Sequence, residues 1–146
     1  MSALSLVVIE IRGSIACANN LESIYRALSL YEVERGSLPA LAYFPDDPID
    51  DSDSLAVMLE PYGLTRSHCI CPAAREIQRN EGQTYLWNIA LNGQRIPHNT
   101  EPVWMLVDMN ALSDEVPASH LGGYNVLFSD GKVRRMRDPR RTLPNL

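Results

Sequence analysis

Three cysteines and three histidines hold most of the reactive chemistry in this 146-residue chain. His68, Cys69 and Cys71 form a compact H-C-x-C group, and thiolates with imidazole suit zinc. No second C-x-x-C or H-x3-H pair completes a tetrahedron. Only Cys17 remains to add a thiolate, and it falls on an apolar helical stripe, so the reading assigns no metal and no cofactor. Cys71, His120 and Asp108 supply the types of a nucleophile, a base and an orienter. Yet no nucleophile elbow, phosphate loop or metal-protease helix surrounds them, and no catalytic residue is expected. A cysteine acting as a small buried hydrophobe is the bland alternative for each thiol. His120 precedes Gly122-Gly123 at a strand entrance, a place for a hydrogen bond to a carboxylate or a carbonyl. Asp130 is the natural candidate for that carboxylate, although it can also accept amides within its own turn.

Charge narrows the function classes. The net charge of −5 argues against a nucleic-acid binder, which needs a basic surface to neutralise phosphates. Asp46 to Asp53 holds five carboxylates in eight residues but lacks the glycine and terminal glutamate of an EF-hand loop. It reads as a solvated acidic loop. Lys132 to Arg141 holds six basic residues in ten and reads as a charged edge strand running into an irregular basic tail over 137–146.

The elements that must position these groups follow from periodicity. Cys17, Leu21, Ile24, Tyr25, Leu28 and Tyr31 recur at spacings of three and four, which predicts a helix over about Ala18–Arg35. Asn19 or Asn20 serves as its start signal, Gly36 as its C-terminal cap, and Glu22 with Arg26 as an i,i+4 pair. Ser5–Ile11 is β-branched enough for a strand and equally suits a frayed helix end. The longest apolar run, Ala3–Ile9, is seven residues, short of the ~20 that span a membrane, so the chain as given reads as soluble. Asp53 or Ser54 caps a short helix carrying Leu55, Met58 and Leu59, and His68–Ala74 reads as extended. Strands are expected at Thr84–Leu91, Pro102–Met109, Tyr124–Phe128 and Lys132–Met136, the last two joined by an Asp130-Gly131 hairpin turn. The order implies one α+β domain over 1–146, a long helix on a small antiparallel sheet.

One signature spans this last hairpin. His120, nine residues, then Asp130-Gly131 gives H-x9-DG, with Gly122, Gly123 and Asn125 inside it. This resembles the C-terminal motif of the prepilin-type H-X9-DG family of pseudopilin-like proteins. Cys17-Ala-Asn-Asn-Leu21, Leu38-Pro39, Pro61-Tyr62, Cys71-Pro72 and Tyr85–Gly93 resemble that family's other motifs in the same order, covering roughly residues 17–136. The resemblance implies a pilin-like fold and a structural subunit of an extracytoplasmic filament or type II secretion-like system. It implies a periplasmic or cell-envelope location and partners that are other pilin-like subunits or secretion-system proteins. Because the family carries cysteines at both places, it also implies a disulfide between Cys17 and Cys71. Family members begin with a hydrophobic anchoring helix. Residues 1–16 read as a degenerate or truncated version of it, and membrane contact is expected only where such a helix lies upstream. A soluble pilin-like module that binds a small ligand or a protein is the alternative function.

Overall fold

The first element of the computed structural model, which describes residues Met1–Leu146, is one unbroken helix, α1, from Ala3 to Arg35. It begins where Ser2 accepts a hydrogen bond from the Ser5 amide, and it ends at Gly36, whose φ of 86° supplies the left-handed cap expected of it. The expected start near Ala18 is therefore corrected by fifteen residues, and Ser5–Ile11 is helix rather than strand. Gly13 reads as a break, but a single helical glycine costs only about 1 kcal/mol, too little to interrupt a helix extended on both sides. The glycine has a use: a Cβ there would stand 3.1 Å from Cβ of Ala73. Asn20 does not cap; its amide donates to the carbonyls of Ile70 at 2.9 Å and Ser67 at 3.4 Å. Arg26 bonds the Ser23 hydroxyl at 2.9 Å instead of pairing with Glu22.

Four short strands follow in a simple antiparallel meander, β1 (Tyr85–Trp87), β2 (Trp104–Asp108), β3 (Tyr124–Phe128) and β4 (Val133–Met136), ordered β1-β2-β3-β4. The register pairs Tyr85 with Asp108, Val107 with Val126, and Val126 with Arg134. Strand β1 is shorter than expected because the chain turns just after Asn88: its amide still donates to the Met105 carbonyl, while its side chain accepts from the Ala90 amide, starting a 3₁₀ turn, and donates to the Trp104 carbonyl. A single-turn helix, α2 (Leu55–Leu59), is capped by Ser54, which accepts from the Val57 amide. His68–Cys69, expected to be extended, lie in a 3₁₀ turn over Arg66–Cys69. A further short helix, α3, spans Glu76–Asn80.

The long helix on a small antiparallel sheet is the α+β architecture expected, and its arrangement is consistent with a pilin-like fold. Cys17, Leu21, Ile24 and Leu28 are buried against Trp87, Met105, Leu106 and Leu127, while Tyr25 and Tyr31 are half-buried. Completely burying four such side chains stabilises by roughly 1.5–3 kcal/mol each, which fixes helix on sheet. A smaller cluster of Leu86, Trp104, Val107, Val126 and Leu143 lies on the opposite face of the strands. Leu143 arrives there because the 137–146 tail is irregular only in part: Pro139–Thr142 form a short helix, α4, and the Trp104 indole donates to the Pro144 carbonyl at 2.6 Å. Pro139 suits the first helical position, since its missing N–H has no partner there anyway.

The N-terminal half of α1 is different. Leu4, Val7, Val8, Ile11 and Ile15 are exposed, and α1 is long and apolar enough by length and composition to cross a membrane. The short apolar run seen in sequence is thus part of one long apolar N-terminal helix.

Candidate functional site

The side chains of Cys17, Cys71, Asp108 and His120 converge from four separate parts of the chain, and all four residues are buried. Cys17 comes from the sheet-facing side of α1. Cys71 sits just beyond the Arg66–Cys69 turn, held by its amide donating to the Thr84 hydroxyl at 2.7 Å. Asp108 ends β2, where Met109 bonds back to the Thr84 carbonyl. His120 opens the loop into β3 and bridges to Gly123.

The donor atoms lie within 4.8 Å of one another. Cys71 Sγ is 3.4 Å from His120 Nε2, Cys17 Sγ is 3.7 Å from Asp108 Oδ1, and His120 Nε2 is 3.9 Å from Asp108 Oδ2. Around them stands a ring of supporting contacts. The Tyr85 hydroxyl lies 3.3 Å from Cys17 Sγ, and the Asn125 amide donates to Asp108 Oδ2 at 2.7 Å. Glu10, two helical turns before Cys17 on α1, accepts from the Leu121 amide at 2.9 Å and stands 3.7 Å from His120 Nδ1. Arg135 on β4 donates to the Leu121 carbonyl, to the Asn125 side chain and to the Ser14 hydroxyl, tying helix, loop and sheet edge together.

Burial sets the electrostatics. The neighbouring Cys71 thiol and burial both push the Cys17 thiol far above its ordinary range. Burial raises Asp108 to about 6, with the Asn125 amide and His120 partly opposing it. For His120, burial works against the charged ring, but the contacts with Cys17 and Asp108 outweigh it and leave its pKa raised. Cys69 lies outside this group, its thiol pushed to about 12 by burial alone.

The structure reorganises the expected site. The H-C-x-C run does not act as a unit: His68 Nδ1 accepts from the Thr65 amide at 3.1 Å, and only Cys71 reaches the cluster. The carboxylate beside His120 is Asp108, with Glu10 on the other ring nitrogen, and not Asp130. Asp130 takes its turn role, accepting from the Lys132 amide at 3.1 Å and pairing with Arg134 at 2.6 Å. Gly131 has φ of 80° at the expected hairpin corner, and a Cβ there would come within 2.9 Å of the Tyr25 ring. Gly123 has φ of 133° and faces the Met136 carbonyl, while a Cβ on Gly122 would meet Arg135 at an ordinary 3.6 Å. The cysteines Cys17 and Cys71 are brought together as free thiols. In the acidic loop, Asp47 and Asp51 cap their own backbone turns, as a solvated loop would. Glu10, Tyr85 and Arg135 join the site without any local sequence signal that marks them as its residues. Glu10 was legible in one respect, since seven residues place it on the same helical face as Cys17 once α1 is carried back to Ala3.

Comparison with protein-family models, with curated proteins and with solved structures finds no match for this chain.

Proposed function

We propose that this chain is a pilin-like (pseudopilin) subunit, a non-catalytic structural component of an extracytoplasmic filament or type II secretion-like system in the periplasm or cell envelope. The observation that carries the reading is the divided use of α1. Its C-terminal half lies buried on the sheet, while its N-terminal half offers Leu4, Val7, Val8, Ile11 and Ile15 to the surroundings. Leu6 and Ile9 are exposed as well, so apolar side chains face outward around much of this half of the helix. A helix of 33 residues is about 50 Å long, so the exposed half reaches beyond the sheet, where a neighbouring subunit's helix or a membrane can cover it. The H-x9-DG hairpin and the ordered motifs before it support the same reading.

The non-catalytic part rests on burial. A reactive thiol needs exposure and a lowered pKa, whereas Cys17 is buried with its thiol pushed upward. Neutral-pH thiol labelling that depends on His120 would overturn that part.

The assembly part is tested with the full chain by sedimentation velocity and by flotation with phospholipid vesicles. Self-association or vesicle binding is expected, lost in a Val7→Glu/Ile11→Glu double variant that melts at the parent temperature. A parent chain that stays monomeric and off the vesicles refutes the reading.

A further inference from the structure

We propose that Cys17, Cys71, Asp108 and His120 form a tetrahedral structural metal site for a divalent cation of the zinc type, clamping α1 to the sheet. The donor set is two sulfurs, one imidazole nitrogen and one carboxylate oxygen, which is the borderline-soft mixture zinc takes in closed four-ligand sites. The spacing fits as well. A tetrahedron with vertices about 2.0–2.3 Å from its centre has edges of roughly 3.3–3.8 Å. Cys71 Sγ and His120 Nε2 are 3.4 Å apart, the Asp108 carboxylate sets Oδ1 3.7 Å from Cys17 Sγ and Oδ2 3.9 Å from His120 Nε2, and one atom from each of the four lies within 4.8 Å of the others, so side-chain adjustments of about 1 Å bring them onto one ion.

The surroundings point to the same ligand. His120 Nδ1 is buried without a hydrogen-bond partner, and Glu10 Oε1 stands 3.7 Å from it. A histidine that ligates through Nε2 carries its proton on Nδ1, and a carboxylate there orients the ring. Asp108 is likewise held by the Asn125 amide, and Cys17 by the Tyr85 hydroxyl. A Cys17–Cys71 disulfide uses only two of the four groups. It leaves the Asp108 carboxylate and the His120 imidazole to pair only with each other, 3.9 Å apart. A metal ion accounts for all four, with the two thiols releasing their protons on binding. The site is a property of the folded chain and holds whether or not the subunit assembles.

The test uses the full chain, expressed with zinc and purified without chelator, read by metal analysis, intact mass and cobalt substitution. One zinc per chain is expected, and cobalt in its place should give thiolate-to-metal charge-transfer absorption with the intense visible bands of a tetrahedral centre. Cys17→Ser and His120→Gln should lose most of the bound zinc. Glu10→Gln, whose residue is partly exposed and outside the ligand set, should still fold and bind about 10–100-fold more weakly. His68→Ala and Cys69→Ala should keep the full zinc content. Three outcomes would overturn the site: a folded, zinc-free parent chain with titratable thiols, an intact mass showing Cys17 joined to Cys71, or zinc lost on changing His68 but kept without Cys17.

Discussion

Replacing Gly123 by alanine probes the turn that carries His120 to the sheet edge. Gly123 has φ of 133°, and a Cβ built on it would lie 2.1 Å from the Met136 carbonyl oxygen and 2.6 Å from its carbon. A carbon–oxygen contact needs about 3.3 Å, so the chain at Met136 must retreat by roughly 1 Å. Met136 pairs with Tyr124 at the end of the β3–β4 ladder, so that retreat costs the terminal pairing, about 1 kcal/mol for each hydrogen bond lost. The positive φ adds about 1–2 kcal/mol for any residue with a Cβ. Together these give about 3–4 kcal/mol, and at roughly 2–4 °C per kcal/mol for a domain of this size the melting temperature should fall by about 6–15 °C. Gly93→Ala is the matched control: φ is 70° there, but no atom lies within 4 Å of the new Cβ. It should cost only the strain of the positive φ, a fall of roughly 2–8 °C. Thermal unfolding of the full chain, followed by circular dichroism, measures both. If Gly123→Ala melts no lower than Gly93→Ala, the close packing of the His120 loop against β4 is wrong.

Leu28→Ala, at a fully buried position on the sheet-facing side of α1, should destabilise by about 2–5 kcal/mol in denaturant titration; a change under ~1 kcal/mol would mean the helix is not docked there. Gly131→Val adds positive-φ strain to a collision with the Tyr25 ring and should cost about 2–4 kcal/mol, more than the turn alone would predict. An unchanged melting temperature would remove that corner. Arg134 and the Lys132 amide hold the Asp130 carboxyl below its ordinary range. A depressed folded pKa means the contribution is present above the unfolded value near 4 and fades as acid protonates the group. Asp130→Asn should therefore narrow the stability gap to the parent as pH falls through that range, seen in melts from pH 6 to pH 3; a gap independent of pH would refute the pairing.

What was legible in the sequence was whatever depends on neighbours along the chain. The three-and-four spacing from Cys17 to Leu28 marks a helical face by geometry alone, and it is the buried one. Asp-Gly between alternating runs marks a hairpin because positive φ is a local demand, and Gly131 meets it. Gly36 and Ser54 cap helices for the same local reason. Local signals misled where tertiary contacts outweighed them. Gly13 looks like a break but lets α1 pass close to Ala73, and the basic tail looks irregular but is held by Leu143 and the Trp104 indole. The sequence grouped Cys71, His120 and Asp108 only by residue type, and Cys17 with Cys71 only through the family resemblance; no local spacing joined the four that the structure brings together. Adjacency suggested His68, Cys69 and Cys71 as partners, and spacing along the last hairpin suggested His120 with Asp130. Which imidazole meets which thiol depends instead on the register of β1 on β2 and on how α1 crosses the sheet. Those are long-range choices made by burying α1, and they carry Cys17 and Glu10 to Asp108, His120 and Cys71. The sequence by itself determined the helix face and the hairpin corner, because both are written in short-range spacing. The identity of the buried four was decided only by tertiary packing, because no periodicity records a contact between residues so far apart along the chain.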